Sequence, residues 1–331
     1  VYARNEKGLI RQVNYFPSRT RQLMQKFGNL RPEEKRLLGS LVADPGLMNS
    51  DAFQNLSEER KIRILDTVLD YSRSRVNKDR DKPRTADHRR KFLLARSRLG
   101  KSRGYEAHVS DEQSIHQGHA PARFQIATGN RNDLPFLQMA IRTSYHDLLA
   151  DDTGHLKNSH FTTLDFYFRI YEEDWTLHKL DIVYLFDLAP NNIISDDWSW
   201  RFRAGEYPST ISSCLHCRKS QLQTAFGKSL SMFSNSTVGY LLAHGSFEAD
   251  RHYEDDYLLG TGVDMGVLVD INQTWRLQME LTGSQGIAGD DHAYVKGFVQ
   301  QRWRLSQQSD VRLQWNYQTE HEVLLALNGY F

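Results

Sequence analysis

The sequence has no long apolar run, and this absence limits how the chain could meet a membrane. Its 331 residues have a hydrophobic fraction of 39% and a mean hydropathy of -0.61. No stretch approaches the roughly 18 to 20 apolar residues that a membrane helix needs. A helical membrane protein is therefore excluded. A transmembrane β-barrel is not, because only alternate residues of its strands face lipid.

Cysteine is nearly absent, and motifs for catalysis are missing. Cys214 and Cys217 are the two cysteines of the chain. Their spacing favours a local disulfide over free thiols and over a redox or zinc site, because zinc needs two further ligands at a matching spacing. No Ser or Cys with a defined partner completes a nucleophilic triad. We therefore predict no catalytic residue, no metal and no cofactor in this chain.

The net charge of +1 hides an asymmetry between two regions. Residues 1–121 hold about 25 Lys and Arg against about 15 Asp and Glu, and the rest of the chain is about as acidic as this part is basic. The basic residues are scattered and accompany no nucleic-acid recognition motif, so anionic lipid headgroups or solvation are favoured over nucleic acid as their surroundings. Neither a signal peptide nor a lipidation motif is present, from which we expect a processed or truncated chain.

Residues 1–105 have the periodicity of short amphipathic helices. One helix is expected to begin at Pro32 and a longer one to follow Ser57. A third is expected from Thr85, with Gly100 as its stop. The prediction is a basic helical region over 1–105, followed by a linker over 106–121 where turn formers replace periodicity.

From residue 122 onward the period changes to two, and about twelve strand candidates follow one another. Most have the 9 to 11 residues that a tilted barrel strand needs to cross a bilayer, whereas strands of soluble domains are usually near five or six. In the ninth candidate, over 273–284, the apolar residues Trp275, Leu277 and Met279 alternate with Arg276, Gln278 and Glu280. We predict a mainly β fold, an antiparallel transmembrane barrel of about twelve strands over 122–331, preceded by the small α-helical region.

Charged residues in the middle of these strands are expected to face the barrel lumen. A network of salt bridges that fills a narrow barrel is one interpretation, and a path for ions or ligands is the other. The candidate lumen residues are Lys179, Asp181, Arg201, Arg203, Asp264, Arg276, Glu280, Lys296, Arg302 and Arg312.

The last strand ends on two aromatic residues, Tyr330 and Phe331. Such an ending is typical of the signal by which the barrel-assembly machinery recognises outer-membrane barrels for insertion. If this end lies in the periplasm, an even number of strands places the helical region there as well. We therefore predict a bacterial outer-membrane protein in contact with outer-membrane lipids.

Several motifs of the predicted barrel stand out: Tyr145-His146-Asp147-Leu148-Leu149, Gly154, the aromatic strand at 164–170, Asp181-Ile182-Val183 and Trp198-Ser199-Trp200. Together they resemble the C-terminal barrel of one family of Gram-negative proteins, the Lnb-like family. Upstream, Val13 to Ser18 and Leu93 to Leu99 resemble the segment that joins the family's catalytic domain to its barrel.

The resemblance implies a papain-like or NlpC-like periplasmic domain with a Cys and His pair, which in some members is linked to N-acylation of lipoproteins. The family's Gly-His turn and its Asn-Cys-Ser stretch have no counterpart here, so any acyltransferase or cysteine-hydrolase activity is expected upstream of this chain. Tyr145, His146, Asp147, Ser199 and Trp200 are expected to form a structural motif at the barrel rim. His146 and Asp147 are adjacent in an extended strand and should point to opposite sides, which argues against a dyad.

The expected function is that of an outer-membrane barrel that anchors and orients an adjoining periplasmic domain without chemistry of its own. Its partners would be its own catalytic domain or a lipoprotein. Two alternatives stay open. The barrel could be a small-solute channel of the porin type, or part of a lipoprotein N-acyltransferase whose catalytic domain lies upstream.

Overall fold

The computed structural model describes residues 18–75, 82–100, 118–172, 174–192, 196–210, 215–232, 236–318 and 320–331. The chain divides into two compact units, Val1–Ser114 and Ile115–Phe331. Within the described ranges, none of the helices is both long and apolar enough to cross a membrane.

The first unit is helical. Its helices are α1 (Arg19–Gly28), α2 (Pro32–Ala43), α3 (Asp51–Gln54), α4 (Glu58–Arg75) and α5 (Lys82–Ser97), with a 3-10 turn at Pro45–Asn49. Helix α1 is capped by Ser18, whose hydroxyl accepts a hydrogen bond from the Arg21 amide at 3.2 Å. Helix α5 begins at Lys82, before the predicted Thr85, because Pro83 fits the first helical turn.

Apolar side chains and a few ion pairs hold this unit together. Leu38, Leu41, Leu65 and other core residues are almost fully buried. Lys26 of α1 pairs with Asp70 of α4 at 2.5 Å, and Arg96 of α5 pairs with Asp66 of α4 at 2.8 Å. Helix α4 is therefore the central element against which α1 and α5 are fixed.

The second unit is a closed antiparallel barrel, as predicted. One sheet contains 13 strands, of which Pro190–Asn191 is a two-residue segment. The other 12 strands follow chain order, and the last pairs with the first from Arg123↔Tyr330 to Arg131↔Glu322. They are β1 (Arg123–Arg131), β2 (Leu134–His146), β3 (Ser159–Ile170), β4 (Trp175–Asp187), β5 (Ser199–Pro208), β6 (Arg218–Met232), β7 (Thr237–Ala249), β8 (Tyr257–Asp270), β9 (Trp275–Gly289), β10 (Ala293–Ser306), β11 (Ser309–Tyr317) and β12 (His321–Tyr330).

Alternation along each strand separates a polar inner face from an apolar outer face. In β9, Arg276, Gln278 and Thr282 are buried inside, whereas Met279 and Leu281 are exposed outside. Every strand except β5 carries at least one exposed large hydrophobic side chain. Exposed apolar surface of this extent is unfavourable in water and suits a lipid environment.

The barrel has two ends, which differ in their segments. The terminal end is the one where β1 begins and β12 ends, and the far end carries the opposite turns. All six tryptophans lie close to one of the two ends. Trp175 and Trp315 are at the far end, and Trp198, Trp200, Trp275 and Trp303 are at the terminal end. Aromatic residues at both ends of an apolar band are typical of the two membrane interfaces.

Candidate functional site

The connection between β2 and β3, residues 147–158, folds into the barrel lumen and is called the plug here. Its first turn is organised by Asp147, whose Oδ1 accepts hydrogen bonds from the amides of Leu149 at 3.1 Å and Ala150 at 3.0 Å. This short Asx-type turn lets the chain leave β2 at the terminal end and enter the lumen instead of crossing the rim.

Two leucines fix the plug against the inner wall. Leu148 and Leu149 are each about 1% exposed and belong to one apolar cluster. Their neighbours in that cluster come from β4, β6, β7 and β8 and include Phe186, Ala225, Tyr240, Leu242 and Leu268. Burial of a leucine side chain stabilises by about 1.5 to 3 kcal/mol, so this pair alone provides a substantial attachment.

Arginines on the neighbouring strands β9 and β10 hold the backbone of the plug. Arg276 of β9 donates to the carbonyl oxygen of Leu148 through Nη1 at 2.8 Å. Arg302 of β10 donates to the carbonyl oxygen of Leu149 through Nε at 2.8 Å. Carbonyl groups inside a barrel need such partners, because an unpaired buried carbonyl is costly.

Salt bridges to the acidic side chains of the plug complete this attachment. Arg276 also pairs with Asp152, and Arg304 pairs with Asp151. Burial raises the pKa of Asp151, but the Thr153 amide and the Arg304 guanidinium outweigh this effect and lower that pKa overall. The carboxylates of Asp151 and Asp152 are therefore ionised while they attach the plug to the wall.

Asp147 is the most strongly enclosed of these carboxylates. It lies 2.6 Å from Arg142 Nη1, 3.0 Å from Arg312 Nη1 and 3.6 Å from Arg123 Nη1. Burial opposes its ionisation, but the three guanidinium groups outweigh burial and hold the pKa of Asp147 well below its usual range. The carboxylate therefore acts as a fixed anion at the base of the plug.

Above the plug, the lumen contains a cavity of about 310 Å³ that reaches residues of the far end such as Gln318 and Glu320. Leu148 and Leu149 form part of its wall at the plug side. Most of the remaining wall residues are polar or charged, with Arg123, Lys179 and Arg203 among the basic groups and Phe298 and Leu324 among the apolar ones. The cavity is therefore a water-accessible polar space bounded at one side by the plug.

The structure places all ten candidate lumen residues inside the barrel, and most of them are paired. Lys179 pairs with Asp181 at 2.8 Å, and Arg201 pairs with both Asp264 and Glu280. Arg276, Arg302 and Arg312 bind the plug, as described above. These contacts agree with a salt-bridge network through most of the lumen.

Arg203 and Lys296 differ from the others. Within the described ranges, neither has a carboxylate partner within salt-bridge distance. Arg203 lies over the ring of Tyr207 at 4.0 Å, and Lys296 lies 5.5 Å from the ring centre of Tyr294. Both line the cavity, where the guanidinium of Arg203 offers positive charge that a solute could contact.

The residues of the expected rim motif lie at the terminal end with separate contacts. The hydroxyl of Ser199 lies 2.7 Å from that of Ser229, Trp200 is on the outer face of β5, and Tyr145 packs edge-on against His155. His146 Nε2 contacts Asp152 at 3.2 Å and not the adjacent Asp147.

Three buried histidines meet beside the plug. His119 precedes β1, His146 ends β2, and His155 belongs to the plug. One ring nitrogen of each lies within 4.8 Å of the others, and the rings of His119 and His146 stack on that of His155 at 4.5 Å. Burial, supported by the nearby positive charge of Arg142, lowers the pKa of His119 to about 3 and that of His155 to about 4. Both rings are neutral at physiological pH.

Two further predicted sites have different outcomes. Cys217 is disulfide-bonded and its Sγ lies 3.2 Å from His252 Nε2, but Cys214 lies outside the described residues, so the pairing between them stays a prediction. Tyr330 points inward, where its hydroxyl donates to Asp310 Oδ2 at 2.6 Å, and Phe331 is exposed. The role of these two aromatic residues in insertion also stays a prediction.

The plug and the histidine group were not predicted from the sequence. The pair Leu148-Leu149 within a connecting segment rich in aspartate is the local feature that could have indicated a buried connection. The predicted linker 106–121 lies largely outside the described residues, but its last part, residues 118–121, carries His119 into this group.

Two family models match the chain in its two parts. Residues 113–330 match a domain of unknown function, DUF7840, and residues 13–107 match another, DUF7842. The first match covers well over half of the 331 residues. No curated protein is similar enough in sequence to match.

Solved structures with a similar fold are all distant in sequence. The NanC porin is 7% identical with a TM-score of 0.39, over 63% of this chain and 98% of that chain. The KdgM porin is 8% identical with a TM-score of 0.37, over 63% and 99%. Omp33 of Acinetobacter baumannii is 7% identical with a TM-score of 0.34, over 64% and 99%. At these TM-scores the likenesses carry no argument about function.

Proposed function

Since the chain belongs to the DUF7840 family, whose function is not established, we propose from its own geometry that it is a closed outer-membrane barrel that anchors an adjoining part of the polypeptide. The plug is the observation that carries this proposal. It binds inward-facing residues on several strands of the barrel, with Leu148 and Leu149 against β4, β6, β7 and β8 and its backbone carbonyls bound by the arginines of β9 and β10.

The outer surface supports the membrane part of the proposal. A closed barrel satisfies every backbone group between neighbouring strands, which is the requirement for a β structure in lipid. The apolar outer face and the tryptophans near both ends fit a bilayer core between two interfaces. In this arrangement the terminal end and the helical region are on the periplasmic side.

The lumen supports the anchor more than the open channel. Salt bridges such as Arg201–Glu280 at 2.9 Å and Arg169–Glu322 at 2.6 Å cross the interior above the plug. A solute that passed through the lumen would have to separate these charged pairs or go around them. The barrel therefore serves as a rigid membrane element whose conductance is low in the resting state.

Conductance in planar bilayers tests the proposal directly. The full chain is expected to insert without a stable open-channel current. The double substitution Leu148→Ser/Leu149→Ser should detach the plug and produce opening events. The matched control is Leu156→Ser, a leucine of the same segment that is 76% exposed and should leave the barrel closed. A stable open-channel current from the unmodified chain would overturn the closed-barrel proposal.

Arg203 and Lys296 favour a second candidate, a gated path or binding site for small anionic solutes. Both side chains line the cavity next to aromatic rings, without a carboxylate at salt-bridge distance among the described residues, and the guanidinium of Arg203 supplies positive charge there. Isothermal titration should then detect glucuronate but not neutral glucose, and Arg203→Gln should abolish the difference. Equal signals for the two sugars would exclude this candidate.

The resemblance to the Lnb-like family adds the proposal that the anchored part is a periplasmic domain with a Cys and His pair. Residues 1–331 should then be catalytically silent toward a lipoprotein peptide, whereas a longer protein with that domain should transfer an acyl group. Acyl transfer by residues 1–331 alone would overturn this assignment, because the catalytic centre would have to lie in the barrel chain.

A further inference from the structure

The three histidines beside the plug are arranged as ligands, with their outer nitrogens already occupied. Nδ1 of His119 lies 2.7 Å from the carbonyl oxygen of Ala120. A carbonyl oxygen can only accept, so this nitrogen carries the proton and Nε2 of His119 has a free lone pair. The tautomer of His119 is thus fixed by its neighbour.

The same reasoning applies to His146. Its Nε2 lies 3.2 Å from Oδ1 of Asp152, and this carboxylate is ionised because it pairs with Arg276. Nε2 of His146 therefore donates, and Nδ1 has the free lone pair. Backbone carbonyls and carboxylates are the usual outer partners of metal-bound histidines.

The two free lone pairs face each other. Nε2 of His119 and Nδ1 of His146 are 2.9 Å apart. Without a proton on either atom the contact is repulsive, so a cation must lie between the two rings. A bridging proton would satisfy these two nitrogens but would do nothing for the third histidine.

His155 completes the argument for a metal ion. It is 6% exposed, and its hydrogen-bond partner among the described residues is the backbone of His119, which can occupy one of its two ring nitrogens. The other ring nitrogen keeps a free lone pair, and because a buried acceptor without a partner is costly, a metal ion next to all three rings would satisfy it. Gly118 leaves room for His155 to lie close to the chain before β1. A Cβ atom at this position would come within 2.4 Å of the Thr153 carbonyl oxygen and 3.0 Å of His155 Nε2.

We propose that His119, His146 and His155 bind one divalent transition-metal ion of the zinc class. Imidazole ligands suit zinc and its neighbours, whereas magnesium and calcium prefer oxygen. With zinc to nitrogen distances of about 2.0 to 2.1 Å, tetrahedral ligands are about 3.3 Å apart, so the rings of His119 and His146 need to separate by roughly 0.4 Å. The ring of His155, which is stacked on both of them, needs to turn one nitrogen toward the ion. The fourth position belongs to water or an added ligand.

The site joins three segments of the chain: the segment before β1, the end of β2 and the plug. A bound ion would therefore fix the plug to the terminal end of the barrel. Zinc binding is expected to raise the unfolding temperature of the barrel, because the ion binds the folded chain and has no preformed site in the unfolded one. The metal site goes beyond the closed-barrel function and can fail while that function holds.

Zinc titration of the full chain tests the site. The chain is refolded in detergent without a polyhistidine tag, freed of metal with a chelator and titrated with Zn²⁺. One zinc ion per chain is expected. His155→Ala should weaken binding by more than the roughly 10- to 100-fold that loss of an outer partner costs. His216→Ala is the matched control, because His216 is an exposed histidine between β5 and β6 at the far end.

Spectroscopy of the unmodified chain keeps the test independent of the folding of variants. With Co²⁺ in place of zinc, visible absorption bands of a site with three nitrogen ligands are expected, and X-ray absorption at the zinc edge should show imidazole nitrogens at about 2.0 to 2.1 Å. Absence of retained zinc, equal affinity in His155→Ala, or an all-oxygen zinc environment would each overturn the proposal. Bilayer conductance is measured separately, so a failed metal site and a failed closed barrel give different results.

Discussion

At the scale of single residues, Asp147 combines two tasks that ordinarily fall to different side chains. Its Oδ1 accepts from the amides of Leu149 and Ala150, which shapes the entry of the plug into the lumen. Its two oxygens also neutralise the guanidinium groups of Arg142 and Arg312. Buried cations of this kind are tolerated because the carboxylate is present, so its charge matters more than its shape.

Asp147→Asn should therefore destabilise the folded barrel strongly, by about 3 to 5 kcal/mol, because the buried arginines lose their shared anion. Urea unfolding in lipid vesicles measures the change. The control is Asp196→Asn, since Asp196 pairs with Lys228 at 2.8 Å but is 76% exposed, and an exposed pair contributes little. A similar small effect for both substitutions would show that the three guanidinium groups do not depend on Asp147.

At the scale of elements, the strands could be predicted and the plug could not. Alternation identifies a strand because inner polar and outer apolar residues differ in type, and β9 follows it from Trp275 to Leu281. The ends of the strands were predicted less well, since β9 continues to Gly289, beyond the predicted last residue 284. Two glycines and a shift in register between Gly286 and Ala288 interrupt the pattern in that extension, but the pairing with β8 resumes and reaches Gly289.

The plug has no local pattern of its own. Its position depends on Arg276 and Arg302, which follow it in sequence by 128 and 153 residues. The histidine group likewise brings His119 next to His146 across 27 residues. Contacts of this range result from closure of the barrel and are not encoded in the periodicity of any segment, so the sequence indicated the wall but not its contents.

Acid should release the plug. The folded pKa of Asp151 is lowered, whereas in an unfolded chain an aspartate titrates near about 3.9. The folded state therefore binds fewer protons, and the stabilising contribution is complete above about pH 4 and is lost as the pH falls through the folded pKa. Bilayer recordings should show a closed barrel at pH 7 and 5 and opening events near pH 3. Opening already at pH 5 would instead assign control of the plug to His119 and His155, which are neutral in the folded chain and would take up protons once released at a pH below about 6.5.

At the scale of the whole molecule, the outer face has to match the thickness of a bilayer. Leu325 lies near the middle of β12 and is 50% exposed, and Leu305 lies on the outer face at the terminal end of β10 and is 62% exposed. Leu325→Arg should cost about 2 to 4 kcal/mol, the midplane cost of an arginine in lipid, whereas Leu305→Arg should cost about 0 to 1 kcal/mol at the interface. Unfolding in vesicles measures both. Equal costs would contradict a membrane-spanning barrel with this orientation of its strands.

The last strand, β12, is held by side-chain contacts as well as by its backbone ladders, and the hydroxyl of Tyr330 gives the last test. The hydroxyl of Tyr330 donates to Asp310 Oδ2 at 2.6 Å and accepts from Arg312 Nη2 at 2.8 Å. Tyr330→Phe keeps the ring against His119 but leaves two buried charged groups short of a partner, which should cost about 1 to 3 kcal/mol. Tyr317→Phe, at an outer-face tyrosine that is 40% exposed, is the matched control and should leave stability unchanged. If the two variants unfold at the same urea concentration, the Tyr330 hydroxyl does not help to hold β12 against β11, and the last strand depends on its backbone ladders with β11 and β1.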